Sequence, residues 1–195
     1  MAVTTDQIKA LRESTGVSVM QCKNALEEAG GDMDKARIIL QKLSSKAASK
    51  KADRDLGAGT VASYVHGGGN VGVIVELLCE TDFVSKNESF QTLAKDLAMQ
   101  VAATNPKYVR VSDIDEVAKT KAVEVFEKDV QDKPAEMQEK ILEGKLNAYF
   151  KEQTLLNQDY IKDSSKTVAQ LIEEAIQKLG ERIEVGRIAR FSVVE

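Results

Sequence analysis

The chain holds 195 residues, 43% hydrophobic and 30% charged, which is enough apolar material for a buried core and points to a globular rather than a disordered chain. Its 27 basic and 31 acidic residues leave a formal charge of −4, so no whole-molecule field draws it to nucleic acid or to an anionic membrane. A single histidine excludes a His-cluster zinc site, and no glycine loop ends in Lys-Ser/Thr to cradle a phosphate, so a binding protein without metal or cofactor is expected rather than an enzyme.

The chain opens MAVTTDQIKALREST, without a basic stretch followed by a long apolar run, and nowhere reaches about 18 consecutive apolar residues. A cytoplasmic protein is expected. Thr5-Asp6-Gln7 suits a helix start, with apolar Ile8 and Leu11 following until Gly16 interrupts. Ser18-Val19-Met20-Gln21 has capping-box spacing for a second helix, carrying Val19, Cys22, Leu26 and Ala29 and stopped by Gly30-Gly31. Asp32 suits the cap of a third, whose stripe is Met33, Ala36, Ile39, Leu40 and Leu43.

Residues 1–44 therefore read as a three-helix module. Residues 45–56 are small and polar without apolar periodicity, and read as a mobile or partly helical linker. Lys42, Lys46, Lys50, Lys51 and Arg54 make this region locally basic, but Asp53 and Asp55 dilute the charge and no aromatic side chain is present to stack on bases. No direct nucleic-acid contact is expected.

Residues 57–195 change character. Residues 60–66 and Val71–Cys79 are rich in β-branched side chains and flank His66-Gly67-Gly68-Gly69-Asn70, as a hairpin does. Phe90, Leu93, Ala94, Leu97, Ala98 and Val101 mark an amphipathic helix ending before Asn105-Pro106, and residues 108–111 form a short strand candidate. Charged, helix-favouring stretches at 113–130 and, from Pro134, at 134–151 suggest a helical hairpin. Residues 168–179 carry Leu171, Ile172, Ala175, Ile176 and Leu179 on one helical side, with Gly180 as the stop, and residues 182–194 alternate as a closing strand. The expected fold is α+β: the helical module, the linker, and an antiparallel sheet covered by helices.

The segment 77–88, Leu-Leu-Cys-Glu-Thr-Asp-Phe-Val-Ser-Lys-Asn-Glu, crosses from strand to helix, with Ser85 and Glu88 at capping-box spacing. If that box forms, Asp82 and Phe83 lie outside the helix and can project from a tight turn toward a partner. In the alternative, Asp82 itself caps the helix and Phe83 packs back on the sheet. Cys22 and Cys79 lie far apart, without metal-ligand spacing, and neither sits in an activating sequence, so two buried thiols are expected.

Several motifs in order resemble those of the bacterial elongation factor Ts family. They are Ile8-Lys9-Ala10-Leu11-Arg12-Glu13-Ser14-Thr15-Gly16, Met20-Gln21-Cys22-Lys23-Asn24-Ala25-Leu26, Tyr64-Val65-His66, Cys79-Glu80-Thr81-Asp82-Phe83-Val84 and Leu179-Gly180-Glu181-Arg182-Ile183. The resemblance implies a ubiquitin-associated-like N-terminal module and a guanine-nucleotide exchange factor for elongation factor Tu. It also implies that Asp82 and Phe83, flanked by Thr81 and Val84, enter near the partner's magnesium and phosphate site. Lys23, His66, Leu179 and Gly180 fall at positions that resemble further partner contacts. Longer members carry two related core halves, whereas only one His-Gly hairpin and one Thr-Asp-Phe turn occur here. A homodimer forming a two-to-two complex is therefore expected.

Overall fold

A computed structural model describes residues 3–131 and 134–193. In chain order its helices and strands are α1 Thr5–Thr15, α2 Val19–Glu28, α3 Met33–Ser49, β1 Ala58–His66, β2 Val71–Cys79, α4 Asp82–Ser85, α5 Glu88–Thr104, α6 Glu116–Val130, α7 Ala135–Gln153, β3 Asp159–Tyr160, β4 Asp163–Thr167, α8 Val168–Leu179 and β5 Ile183–Ser192. Helices and antiparallel sheet mix as the α+β expectation requires. The chain divides into two compact units, and β1, β2, α5, α8 and β5 contribute residues to both.

The first unit takes the chain as far as Ala62, together with Glu76–Lys95 and Ala169–Gly186. Its N-terminal helices start where local chemistry satisfies their free amides. Thr4, one residue earlier than expected, caps α1: its hydroxyl accepts from the Gln7 amide at 3.2 Å, while the Gln7 carboxamide accepts from the Thr4 amide at 3.0 Å. Ser18 caps α2 by accepting from the Gln21 amide at 3.3 Å, but Gln21 meets the serine hydroxyl rather than reaching back to its amide. Asp32 accepts the Asp34 and Lys35 amides, both at 3.0 Å, and the bond from Lys35 is the main reason its carboxyl titrates below the usual range. Leu11, Val17, Cys22, Ala25, Leu26, Ala36 and Leu40 form the core beneath these caps.

Helix α3 runs to Ser49, so residues 45–49 of the expected linker are helical. The buried apolar face ends at Leu40, because Leu43, expected in the stripe, is exposed and the next inward contact is polar. Ser44 is buried, and its hydroxyl lies within hydrogen-bond distance of the Leu40 carbonyl, at 3.0 Å, and of the Gln177 carboxamide of α8.

The three-stranded sheet has the order β1-β2-β5. In β2 the side chains of Val71, Val73, Val75, Leu77 and Cys79 are buried, the two-residue period of a strand with one covered face. Gly67, Gly68 and Gly69 turn the chain between β1 and β2 with φ of 62°, 68° and 106°, a run that side chains other than glycine rarely adopt. β5 runs antiparallel to β2: the Arg182 amide at its start meets the Glu80 carboxylate at 2.6 Å, and the Val193 amide at its end meets the Asn70 carbonyl at 3.0 Å. Val194, the last residue of the expected strand, lies outside the described residues.

The second unit takes Ser63–Val75, Asp96–Val168 and the chain from Arg187 onward. Gln100 of α5, fully buried, accepts the Ile161 amide at 2.8 Å and donates to the Gln158 side chain and the Asp159 carbonyl, both at 3.2 Å. These bonds hold the β3-β4 ribbon, an antiparallel pair that sequence reading does not anticipate. The strand expected at 108–111 is reduced to one parallel bridge between Tyr108 and Thr154, followed by a 3-10 turn at Val111–Asp113.

The expected helical hairpin is present as α6 and α7. The Asp115 carboxylate starts α6 by accepting the Ala118 amide at 2.6 Å, and Phe126 meets Tyr149 edge-on at 5.4 Å between ring centroids. Lys145 adds a cation over the Phe126 ring at 5.7 Å and an ion pair to Asp129 at 2.6 Å.

Candidate functional site

The segment expected to carry function belongs to the first unit and takes neither arrangement considered from sequence. Helix α4 is a single turn, in which the Ser85 amide donates to the Thr81 carbonyl and the Lys86 amide to the Asp82 carbonyl, each at 3.2 Å. The Ser85-Glu88 capping box does not form, because Ser85 is buried and its hydroxyl donates to the Asp82 carbonyl at 3.0 Å. Asn87 starts α5 instead, its side chain accepting the Ser89 amide at 2.9 Å. Asp82 and Phe83 therefore lie within a helical turn, not outside one.

A single turn at about 100° per residue splits its side chains between two faces. Val84 and Ser85 face inward and are buried, whereas Phe83 is 85% exposed. Phe83 does not pack back on the sheet. Asp82 points outward as well and pairs with Lys86 at 2.7 Å; the hydrogen bond from that ammonium is the main reason its carboxyl titrates below the usual range.

What fixes the turn lies a hundred residues away. The Glu181 carboxylate accepts the Glu80 amide at 3.1 Å, the Thr81 amide at 3.0 Å and the Thr81 hydroxyl at 2.6 Å. The Glu80 carboxylate in return accepts the Arg182 amide at 2.6 Å, the chief cause of its lowered pKa, and the Arg54 guanidinium at 3.2 Å. Arg182 closes the circuit by donating to the Arg54 carbonyl at 2.5 Å. Two loop segments are thus cross-tied by each other's carboxylates. Sequence reading named Glu80 and Glu181 only within motifs and Arg54 only in a basic linker, giving none a role here, because no local spacing signals a bond between carboxylates and amides this far apart.

The other expected contact residues fall in different places. Leu179 ends α8, and Gly180, at φ 79°, turns the chain so that Glu181 meets Thr81. Lys23 stands half-exposed on α2 within the same unit, 3.7 Å from Glu27. His66 belongs to the second unit, exposed at the end of β1, with Nδ1 3.1 Å from the Tyr64 hydroxyl.

Cys79 is buried and its thiol donates to the Thr81 carbonyl at 3.2 Å; burial pushes its pKa up to about 11, the opposite of what a nucleophile needs. Among the described residues no group of three or more His, Cys, Asp or Glu is placed to hold a metal ion, and no helix is long and apolar enough to cross a membrane.

The family described as Elongation factor TS matches residues 34–195. Elongation factor Ts of Thermotoga petrophila is 47% identical over 195 residues, covering 100% of this chain and 98% of that protein. The elongation factors Ts of Desulforamulus reducens and Leptospira biflexa are each 47% identical over 99% of this chain, covering 90% and 98% of their own lengths. Motifs spread from the N-terminal helices to β5, a turn exposing Phe83 and similarity over the whole length agree: the chain belongs to the elongation factor Ts family.

Proposed function

We propose that this protein is a guanine-nucleotide exchange factor that binds elongation factor Tu and promotes GDP release during translation elongation, with Asp82 and Phe83 inserted near the partner's magnesium and phosphate site. The observation that carries the reading is the 85% exposure of Phe83 on a turn rooted by buried Val84 and Ser85. A large aromatic held in water on a pre-ordered base loses little conformational freedom when it enters a pocket, as an anchor residue does. Asp82 beside it brings a carboxylate suited to a helix N-terminus or to disturbing the field around a magnesium ion.

Exchange is linkage. Whatever free energy the factor's binding removes from nucleotide affinity, the nucleotide removes equally from the factor's affinity. A thousandfold weakening needs about 4 kcal/mol. Burying one phenylalanine supplies about 1.5–3 kcal/mol. Phe83 needs help, which Lys23, His66, Leu179 and Gly180 would supply as further contacts beside Thr81; Val84, expected from sequence as another contact, is buried and supports the turn from beneath instead.

In this reading residues 1–44 are one binding module, 45–56 connect it, and 57–195 form the core. The protein acts in the cytoplasm without metal, cofactor or chemical turnover, and without direct contact to nucleic acid or membrane. Two copies pair through their cores to give a two-to-two complex. Val65, Ile74 and Phe191, exposed on the strand segments of the second unit, offer apolar surface for that pairing. Light scattering at micromolar concentration checks it, and a monomer counts against it.

The deciding experiment is stopped-flow release of a fluorescent GDP analogue from elongation factor Tu, with this protein and with Phe83→Ala. Acceleration by the native chain and its loss in the variant are expected. An unchanged spontaneous rate with the native chain would overturn the reading.

A further inference from the structure

The exposed turn has no local means to hold its N-terminal entry. Helix α4 has four residues, and its N-cap, Thr81, makes no side-chain cap to its own helix. A one-turn helix in water is far below the length at which nucleation is repaid. Yet Phe83 contributes nothing to the core that would fix it, being 85% exposed. Buried Val84 and Ser85 root the C-terminal side of the turn, so the ordering of its N-terminal entry is what has to come from elsewhere in the fold.

The Thr81 hydroxyl, which would normally cap α4, is turned onto Glu181 at 2.6 Å, and the same carboxylate takes the Glu80 and Thr81 amides at 3.1 and 3.0 Å. Three donors that lead directly into Asp82 and Phe83 thus end on one side chain. Glu80 returns the bond to the Arg182 amide at 2.6 Å, so the carrier of that side chain is itself held. Hydrogen bonds to a carboxylate are stronger than those between neutral groups. Gly180, at φ 79°, is what allows α8 to end and deliver Glu181 to this spot.

We infer that Glu181 is the positioning residue of the exchange turn: its carboxylate, by taking both loop amides and the Thr81 hydroxyl, sets the orientation in which Asp82 and Phe83 meet the partner. The inference rests on the exchange reading above. It assigns Glu181 no contact with the partner. Its effect falls on how fast nucleotide leaves once the complex has formed, because a disordered turn must be ordered each time it is inserted.

The geometry also separates this role from a role of the charge. Oε2 of Glu181 takes both amides and Oε1 takes the hydroxyl. In Glu181→Gln the carboxamide oxygen can keep both amides, while the carboxamide nitrogen donates to the Thr81 hydroxyl, which accepts as readily as it donates. The glutamine keeps the clamp and loses the charge. Alanine loses both, and aspartate keeps the charge on a side chain one methylene too short.

The test measures GDP-analogue release from elongation factor Tu over a range of factor concentrations, for the native chain, Glu181→Gln, Glu181→Asp and Glu181→Ala. Amide hydrogen exchange at Glu80 and Thr81 is followed in parallel. In Glu181→Ala the maximal release rate should fall about tenfold or more, with a smaller change in the half-saturating concentration and faster exchange at both amides. Glu181→Gln should stay within about threefold of the native rate with both amides protected, and Glu181→Asp should fall between. Should alanine fail to fold, the aspartate and glutamine variants decide. A native rate in alanine or aspartate, or a glutamine as impaired as either, overturns the clamp. A native chain that fails to accelerate release overturns the exchange reading itself, so the two failures are distinguishable.

Discussion

Glu181 and Thr81 are joined by two hydrogen bonds, from the Thr81 amide at 3.0 Å and its hydroxyl at 2.6 Å, across a hundred residues of chain. The bond from the hydroxyl withdraws the natural cap of α4 and gives it to a distant carboxylate. What holds the turn is therefore tertiary, and the side chain it displays is free of structural duty.

That freedom makes Phe83 separable from folding. Phe83→Ala should change stability by less than about 0.5 kcal/mol, as surface positions do. The acceleration of GDP release should drop at least about tenfold, the loss expected of an anchor residue. Urea denaturation and stopped-flow fluorescence on the same preparation check both, and a large loss of stability would place Phe83 in the core after all.

Gly59 is a strand glycine whose role is close approach. A Cβ there would lie 2.5 Å from the Leu77 carbonyl oxygen, a backbone atom of the neighbouring strand. Gly59→Ala should therefore push β1 from β2 and cost about 1–3 kcal/mol, the usual penalty of overpacking. Denaturant melts check it, and an unchanged midpoint would show that the strands shift without cost.

Acid should loosen the clamp from the Glu80 side. The Glu80 carboxyl is lowered from its ordinary 4.5 chiefly by the Arg182 amide, and Asp82 from 3.8 chiefly by Lys86. A depressed carboxyl contributes stability that is complete above its unfolded value and is lost as pH falls through the folded one. The Arg182 amide resonance should stay constant above pH 4.5 and move only below it, and Lys86→Ala should raise the Asp82 midpoint toward 3.8. Carboxyl titrations by NMR measure both, and midpoints at the ordinary values would contradict the contacts.

Both cysteines should be silent in the native state. Cys22 and Cys79 are fully buried, and desolvation holds the Cys79 thiol at about 11, leaving little thiolate at pH 8. Ellman's reagent at that pH should find both thiols in denaturant and almost none without it. Rapid native labelling would mean that the strand end at Cys79 opens.

Where a pattern is local and strong, sequence sufficed. Residues 168–179 read as a helix stopped by Gly180 and are one, because a clear apolar stripe and a left-handed glycine leave little else possible. The hairpin around Gly67-Gly68-Gly69 and the caps at Ser18 and Asp32 were legible for the same reason. β4 was not, since Asp163-Ser164-Ser165-Lys166-Thr167 carries no alternation and owes its strand to pairing with β3. Of the two readings of residues 45–56, mobile or partly helical, the second holds at 45–49, where α3 continues through the polar inward contact of Ser44.

At the site, Asp82 and Phe83 were identifiable by motif, while their surroundings were not. The capping box read at Ser85 and Glu88 was a true spacing that lost to burial of Ser85 and to Asn87 as the better-placed acceptor. The sequence alone determined most of the element types, much of the core, the family and the residues to watch, because periodicity, capping chemistry and motif order are written within a few residues of one another; it put Val19 and Leu43 in stripes that leave them exposed. Only the tertiary structure decided that Phe83 stands in solvent and that Glu80 and Glu181 hold its turn, because those outcomes depend on amides and carboxylates that meet only after the chain has folded.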